Sequence, residues 1–275
     1  MSETPAWSEP FLGPDRSHLL RLPPLGPIGR AAAFGDGEGR GQVVAVVDSG
    51  IEAGHPAVGG RVREAVIVDL EGGRPSVRDA AGEGDLVGHG TACAGIIHAI
   101  APAAALLSVR VLGPDNRGRG PALAAGIEWA IGAGATVVNL SLSSHSDALY
   151  ATFHELVDEA YFANVVLVCA ANNVPGPSYP SLFAAVLSVA AHDVPDPAVW
   201  FHNPSPPVEF AAHGLDVDVA WRGGSRIVAT GNSFAAPHIA GYAARIRAAH
   251  PDARPFEVKA ILAAAADNAI AAAPG

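Results

Sequence analysis

Residues 42–50 read Gln-Val-Val-Ala-Val-Val-Asp-Ser-Gly, and this stretch decides the fold. The run Gln42–Val47 is almost wholly apolar and rich in valine, which is typical of a strand buried on both faces. Strands of this kind occur in parallel sheets that helices cover on both sides. The stretch therefore predicts a central parallel sheet, with Asp48 standing just beyond the end of one of its strands.

Outward from this stretch, strand-length apolar runs alternate with longer helical patterns. The further predicted strands are Leu106–Val111, Thr136–Leu142, Val165–Cys169 and Val186–Ala190. The predicted helices are Gly90–Ala99, Leu123–Gly132, Asp147–Ala163, a long helix after Ser233, and Pro255–Ala266. Such alternation predicts an α/β fold, a three-layer sandwich with a mostly parallel central sheet. Residues 1–24 read as an irregular N-terminal arm, and residues 25–275 as one domain.

Composition and charge exclude several classes of protein. Of the 275 residues, 49% are hydrophobic and 16% charged, which supplies a large core and excludes a disordered chain. The formal net charge of -10 argues against nucleic acid or an anionic membrane as the main partner. No apolar run reaches the length of a membrane helix. The first residues lack a secretory signal pattern, so we expect a cytoplasmic protein; a leader removed ahead of Met1 would instead indicate secretion.

Polar residues lie where ligands and catalytic groups collect in a sheet of this type, outside the carboxyl ends of the strands. Asp48 follows the first strand, and Asn172 and Asn173 follow the strand Val165–Cys169, whereas His89 and Ser233 stand at helix starts. Taken singly, each has an ordinary structural interpretation: a turn aspartate, a hydrogen-bonded histidine, or a serine N-cap. Their joint occurrence favours a nucleophile activated by a base.

The order of four motifs resembles that of the subtilisin-like serine peptidases, the subtilases. The motifs are VVAVVDSGIEAGHP at 43–56, GHGTACAG at 88–95, CAANN at 169–173 and GNSFAAPHIAG at 231–241. The resemblance makes residues 25–275 a subtilase catalytic domain. It implies a catalytic triad of Asp48, His89 and Ser233, and an oxyanion-hole amide from Asn173. Asn172 is the alternative for that amide, since an error of one residue would exchange the two.

Each implied role has a chemical reason. A serine hydroxyl is a poor nucleophile until a base takes its proton, and His89 is a base whose ordinary pKa lies near neutrality. Asp48 would fix the tautomer of His89 and stabilise the imidazolium that forms. Ser233 at a helix start would place its backbone N–H where negative charge develops.

Two further segments resemble the strands that bind substrate in this family. Gly118, Arg119 and Gly120 resemble one of them, and Ser141, Leu142, Ser143 and Ser144 resemble the other. The implied partner is a peptide or protein that binds in extended form as an added strand. Glycines are usual at 143 and 144, so the serines there bear on substrate preference rather than on catalysis.

Departures from the family pattern carry predictions of their own. Subtilases usually have threonine where this chain has Asn232. The change to asparagine would alter a secondary oxyanion donor without removing it. The family's calcium site uses a carboxylate after His-Pro, where this chain has Ala57, and a loop that interrupts the helix predicted here as Gly90–Ala99. We therefore expect no calcium site of this kind, and no cofactor.

Cys93 lies where thiol-bearing subtilases keep a cysteine beneath the catalytic histidine. His89 and Cys93, four residues apart, could share a metal ion. We expect no further ligand to cluster with them, and using Asp48 would remove it from its role beside His89, so we expect no metal site.

These observations predict a serine endopeptidase that forms an acyl-enzyme on Ser233, and processing of a precursor peptide is a role compatible with them. One alternative is a peptide ligase or macrocyclase that resolves the same acyl-enzyme with an amine. Another is a catalytically silent, peptide-binding pseudoenzyme.

Overall fold

The computed structural model describes residues 4–6, 8–14, 28–80 and 82–269. Its strands are β1 (Val43–Asp48), β2 (Val62–Glu71), β3 (Arg74–Asp79), β4 (Ala105–Arg110), β5 (Val137–Leu140), β6 (Val166–Ala170), β7 (Leu187–His192), β8 (Trp200–His202), β9 (Phe210–His213), β10 (Val217–Trp221) and β11 (Ser225–Ala229). Its α-helices are α1 (Arg30–Phe34), α2 (His89–Ile100), α3 (Gly120–Gly132), α4 (Tyr150–Phe162), α5 (Asn232–Ala249) and α6 (Pro255–Ala264).

One large sheet organises the molecule, with the strand order β3-β2-β4-β1-β5-β6-β7-β9-β8. All neighbours from β2 to β9 run parallel, and only the two edge strands, β3 and β8, pair antiparallel. Strands β10 and β11 form a separate hairpin. Because β1 lies between β4 and β5, Asp48 ends a central strand.

Side chains of β1 alternate between two cores on opposite faces of the sheet. Val44 and Val46 pack into the core that α2 and α5 cover. Ala45 and Val47 pack into the core that α3 and α4 cover. This period of two explains why the strand is apolar at nearly every position, since both of its faces are buried.

The architecture confirms the predicted α/β sandwich with its mostly parallel sheet. The five predicted strands are β1, β4, β5, β6 and β7, with ends displaced by one or two residues. Helix α3 begins three residues earlier than predicted, and the predicted start of α4 is a 3-10 turn at Asp147–Leu149. Strands β2, β3 and β8–β11 are not predicted. In β3 nearly every residue is exposed, so no apolar pattern marks it.

Part of the predicted N-terminal arm packs against the domain. Residues 9–11 form a 3-10 turn, and Phe11 is completely buried beside β7 and β9. The predicted boundary at residue 25 lies outside the described residues. Among the described helices, none combines the length and the apolar character needed to cross a membrane.

Candidate active site

Asp48 and His89 form a buried pair at the carboxyl end of β1. Asp48 is completely buried, and its Oδ1 accepts a 2.7 Å hydrogen bond from the Ser49 backbone N–H. His89 Nδ1 lies 2.8 Å from Oδ1 and 2.9 Å from Oδ2 of the same carboxylate. Nδ1 therefore carries a proton that it donates to Asp48, which leaves the lone pair of the neutral ring on Nε2.

Two glycines allow α2 to begin this close to β1. Gly88 has φ +116°, a conformation that side chains disfavour, and a Cβ there would meet the ring of Trp221. A Cβ on Gly90 would collide with the carbonyl oxygen of Gly50. The glycines on either side of His89 are therefore required by its position against the turn after β1.

The surroundings of His89 shift its basicity. Burial by itself lowers the pKa of His89, but the charge of Asp48, the hydrogen bond to it and the charge of Asp85 together raise that pKa above its ordinary value. A base with a raised pKa accepts a proton more readily. The arrangement suits a group that must take a proton from a hydroxyl near neutral pH.

Asp85 is a site residue that the sequence reasoning missed. Its Oδ1 accepts hydrogen bonds from Ser49 Oγ at 2.7 Å and from the backbone N–H groups of Val87 and Gly88. Its Oδ2 accepts from both the N–H and the hydroxyl of Thr91. The only sequence signal was a carboxylate four residues before His89, and its partners could not be named without the fold.

Ser233 is the second residue of α5, directly after Asn232, and is half-buried. The N-cap of this helix is Gly231, so the interpretation of Ser233 as an ordinary N-cap is wrong. The ring of Phe234 lies 5.2 Å from the imidazole of His89, centroid to centroid. The start of α5 thus stands beside the Asp48–His89 pair, with its N-terminal dipole directed at the same region.

The amide of Asn173 faces the same space as the hydroxyl of Ser233. A methyl group placed on Gly231 would lie 3.2 Å from Ser233 Oγ and 3.6 Å from Asn173 Nδ2. Asn173 Oδ1 accepts a 2.9 Å hydrogen bond from the Asn232 backbone N–H, which fixes the amide and turns its NH₂ group outward. By contrast, Asn172 Nδ2 donates to the carbonyl of Val174 at 2.7 Å. The geometry favours Asn173 over Asn172 as the free donor.

Comparison with known proteins now identifies the family. The model of the subtilase family matches residues 39–274. The chain belongs to the subtilase family. Relatives include the thermostable alkaline protease of Halalkalibacterium halodurans, 31% identical over 91% of this chain and 65% of that protein. Subtilisin BL of Lederbergia lenta is 34% identical over 78% of each chain.

Two further likenesses complete the comparison. The intracellular serine protease of Paenibacillus polymyxa is 31% identical over 78% of this chain and 69% of that protein. The crystal structure of a cold adapted subtilisin-like serine proteinase matches with a TM-score of 0.66, at 23% identity and 89% coverage of each chain, and shares the fold. The chain thus spans just under two thirds of the first relative and about four fifths of the second.

Asn232 departs from the subtilase pattern, and the structure corrects the role expected for it. Its side chain is completely buried, and both ends of the amide are hydrogen-bonded within the protein. Nδ2 donates to the carbonyls of Ala6, Ala171 and Asn172, and Oδ1 accepts from Ala191 N–H and Ser8 Oγ. Because both of its donor hydrogens are engaged inside the protein, Asn232 does not supply a secondary oxyanion donor from its side chain.

A cleft of about 360 Å³ collects most of the predicted substrate-binding residues of this subtilase. Its lining includes Gly118, Arg119, Gly120, Leu142, Ser143 and Ser144. Ser141 does not line the cleft: its hydroxyl is buried and donates to the carbonyl of Ser233 at 2.8 Å. The backbone of Ser144 is already paired in both directions with Tyr179. The backbone N–H and carbonyl of Ser144 are therefore not free to pair with an added strand.

Cys93 lies beneath the pair, completely buried. The expectation that no third ligand joins His89 and Cys93 is wrong, because one ligand atom from each of these and from Asp48 lies within 4.8 Å of the others. Metals bind the thiolate, however, and burial together with the nearby charge of Asp48 raises the pKa of Cys93 well above its usual range. The carboxylate of Asp48 is also engaged by His89 and Ser49. The three groups fit a triad with a thiol beneath it better than a metal centre.

The residues at the usual calcium position of subtilases do not fit that ion. Ala57 stands in the 3-10 turn Pro56–Val58, and its N–H donates to His55 Nδ1. Helix α2 runs from His89 to Ile100 without an interrupting loop. Neither element offers the side-chain carboxylate or the loop carbonyls that calcium coordination requires.

Proposed function

We propose that this subtilase is a serine endopeptidase that hydrolyses peptide bonds through an acyl-enzyme on Ser233. The observation that carries the proposal is the buried Asp48–His89 pair beside the start of α5, with the Asn173 amide facing the Ser233 hydroxyl. A base, a nucleophile and an anion donor thus surround one space, as acyl transfer requires.

In the first step, Ser233 Oγ attacks the carbonyl carbon of the scissile bond while its proton passes to His89 Nε2. The developing oxyanion is stabilised by Asn173 Nδ2 and by the N-terminus of α5. Asp48 stabilises the imidazolium through the Nδ1 hydrogen bond. When the tetrahedral intermediate collapses, the C–N bond breaks and His89 gives its proton to the leaving amine.

In the second step, water takes the place of the amine. His89 removes a proton from the water as it attacks the ester carbon, and a second tetrahedral intermediate forms at the same oxyanion donors. Its collapse breaks the bond to Ser233 Oγ, which regains a proton from His89. The products are a carboxylic acid and an amine, and the enzyme is unchanged.

The substrate class follows from the cleft beside Arg119. The cleft is lined by residues 118–120 and 142–144, the two segments that resemble substrate-binding strands, so an extended peptide is the occupant it suits. Similarity to the intracellular serine protease of Paenibacillus polymyxa supports an intracellular enzyme, and we propose a precursor peptide as its substrate. Hydrolysis is the simplest outcome for the acyl-enzyme, because the half-buried Ser233 is open to water.

A fluorophosphonate probe combined with a peptide library tests the proposal. The probe should label the wild-type chain and leave Ser233→Ala unlabelled. Mass spectrometry of the library should show cleaved peptides with the wild-type chain and none with Ser233→Ala or His89→Ala. Labelling with no product from any peptide would support the pseudoenzyme, and products joined to an added amine would support the ligase.

A further inference from the structure

Part of the N-terminal arm lies directly against the residues that flank the nucleophile and the oxyanion donor. We name Pro5, Ala6 and residues 8–13 the N-terminal strap. The Ala6 N–H donates to the backbone carbonyl of Asn173 at 2.8 Å, and the Ala6 carbonyl accepts from Asn232 Nδ2 at 2.9 Å. Ser8 Oγ donates to Asn232 Oδ1 at 3.2 Å. The strap thus contacts Asn173 itself and the residue that precedes Ser233.

Asn232 joins the strap to the site. Its Oδ1 meets only donors and its Nδ2 meets only carbonyls, so the network fixes the orientation of the amide. Its backbone N–H, in turn, holds Asn173 Oδ1. A movement of Asn232 would therefore move the amide that faces the oxyanion. Two of the five groups bonded to the Asn232 side chain belong to the strap.

The other end of the strap is anchored away from the site. Phe11 is completely buried in a cluster with Ala171, Ala190 and Ala211. The Gly13 N–H donates to Asp193 Oδ2 at 2.7 Å. Buried apolar area and hydrogen bonds at both ends oppose the entropy cost of ordering this length of chain.

We propose that the N-terminal strap is a positioning element of the oxyanion hole, acting through Asn232 on Asn173. This inference rests on the proposed peptidase function. An oxyanion donor contributes only in the transition state, and its contribution depends on its direction. Loosening the strap leaves binding of the ground-state peptide intact and misaligns the amide. The loss is therefore in kcat, with KM nearly unchanged.

The test uses single substitutions in the full chain. Ser8→Ala removes one hydrogen bond to Asn232 and should lower kcat about three- to tenfold, the effect of one lost hydrogen bond. Phe11→Ala removes the anchor and should lower kcat further. Matched controls are Ser188→Ala, also buried and hydrogen-bonded, and Phe153→Ala, also completely buried but in the core that α3 and α4 cover. If Phe11→Ala fails to fold, Ser8→Ala still decides the question.

A double-mutant cycle distinguishes positioning from general destabilisation. In an Asn173→Ala background the amide to be positioned is absent, so Ser8→Ala should change kcat by less than about twofold. A folded Ser8→Ala variant with wild-type kcat would overturn the proposal. So would an equal loss in Ser188→Ala, or an undiminished loss in the Asn173→Ala background. A wild-type chain that cleaves no peptide would instead overturn the proposed function.

Discussion

Asp85 accepts a 2.7 Å hydrogen bond from the hydroxyl of Ser49, the residue that follows the proposed catalytic aspartate. Ser49 Oγ in turn accepts from the N–H of Gly90, the residue that follows His89. One carboxylate outside the proposed triad thus links the end of β1 to the start of α2. Its charge also acts on His89, since it contributes to the raised pKa of the imidazole.

Asp85→Asn should therefore shift the acidic limb of the pH profile of kcat/KM to lower pH. The negative charge of Asp85 stabilises the imidazolium, so neutralising that charge lowers the pKa of His89. The His89 ring then becomes the neutral base at a lower pH, and kcat/KM begins to rise at a lower pH than in the wild-type enzyme. The maximum value of kcat should fall, because an amide nitrogen cannot replace an accepting oxygen.

The pH profile of kcat/KM for a cleaved peptide measures this shift. Asp158→Asn, on the exposed face of α4, changes the net charge of the chain equally and is the matched control. An acid limb at the same pH in Asp85→Asn and in the wild-type enzyme would contradict the prediction.

Asn173→Ala should reduce kcat far more than Asn172→Ala. Loss of one oxyanion donor in subtilisin lowers kcat about 10²- to 10³-fold, and we expect the same range for Asn173. Asn172 donates to the Val174 carbonyl instead, so its replacement should reduce activity only by disturbing the conformation of the loop after β6. Steady-state kinetics on one peptide decides between them. A severe loss in Asn172→Ala with a mild one in Asn173→Ala would reverse the assignment.

Arg119 should favour peptides with acidic residues. Arg117 and Arg119 both line the proposed substrate cleft, and within the part of the chain that the structure describes neither guanidinium has an ion-pair partner. In a protein of net charge -10, two such cations form a local site for carboxylates. A peptide set with Glu, Gln or Lys at each position in turn should show one position where Glu is preferred.

The preference should be modest and sensitive to salt, about two- to fivefold in kcat/KM, because the arginines are exposed. Arg119→Glu should reverse it toward Lys. Arg74→Glu, at an exposed position of β3 outside the cleft lining, is the charge-matched control. Equal rates for the Glu and Lys peptides at every position would show that Arg119 does not select substrate.

The sequence predicts the central strands of the sheet and the residues at their ends better than it predicts the edge strands and the long-range contacts. Asp48 could be placed because an apolar run of one strand length precedes it, and strand ends in parallel sheets lie at one edge. Strand β3 gave no such pattern, because nearly all of its residues face solvent. The contacts of Asn232 could not be predicted either. Ser8 lies 224 residues away in the chain, and only the folded structure brings its hydroxyl to the Asn232 side chain.

Cys93→Ala should make the enzyme resistant to mercurials. In the wild-type chain Cys93 Sγ lies 3.6 Å from the Ser233 carbonyl and 3.8 Å from Asp48 Oδ2, so a bulky mercury adduct would displace both. The reaction should be slow, because the thiol is buried and its raised pKa keeps it protonated.

Time-dependent loss of peptidase activity measures this reaction. Cys169→Ala is the control, since Cys169 is also buried but is hydrogen-bonded to the Leu142 carbonyl, away from Asp48. It should stay as sensitive as the wild-type enzyme. Inactivation of Cys93→Ala at the wild-type rate would place the reactive thiol elsewhere.

Calcium should not raise the melting temperature of this subtilase. Ala57 provides no carboxylate, and α2 continues unbroken to Ile100, so the two usual sources of oxygen ligands are missing. Of the other carboxylates near loops, Asp193 Oδ2 accepts from Gly13 N–H and Asp196 Oδ1 accepts from Ala198 N–H. Each is partly engaged within the protein.

Calcium needs about six to eight oxygens, and the carboxylates of Asp193 and Asp196, each partly engaged, do not supply such a set by themselves. A metal that binds only the native state stabilises it in proportion to the logarithm of one plus the ratio of the metal concentration to Kd, so without a site neither added calcium nor chelation changes the melting temperature. We expect equal melting temperatures in excess EDTA and in millimolar calcium. Millimolar magnesium at the same ionic strength is the control, because any divalent cation screens a chain of net charge -10. A rise of several degrees with calcium but not with magnesium would show that a specific site exists.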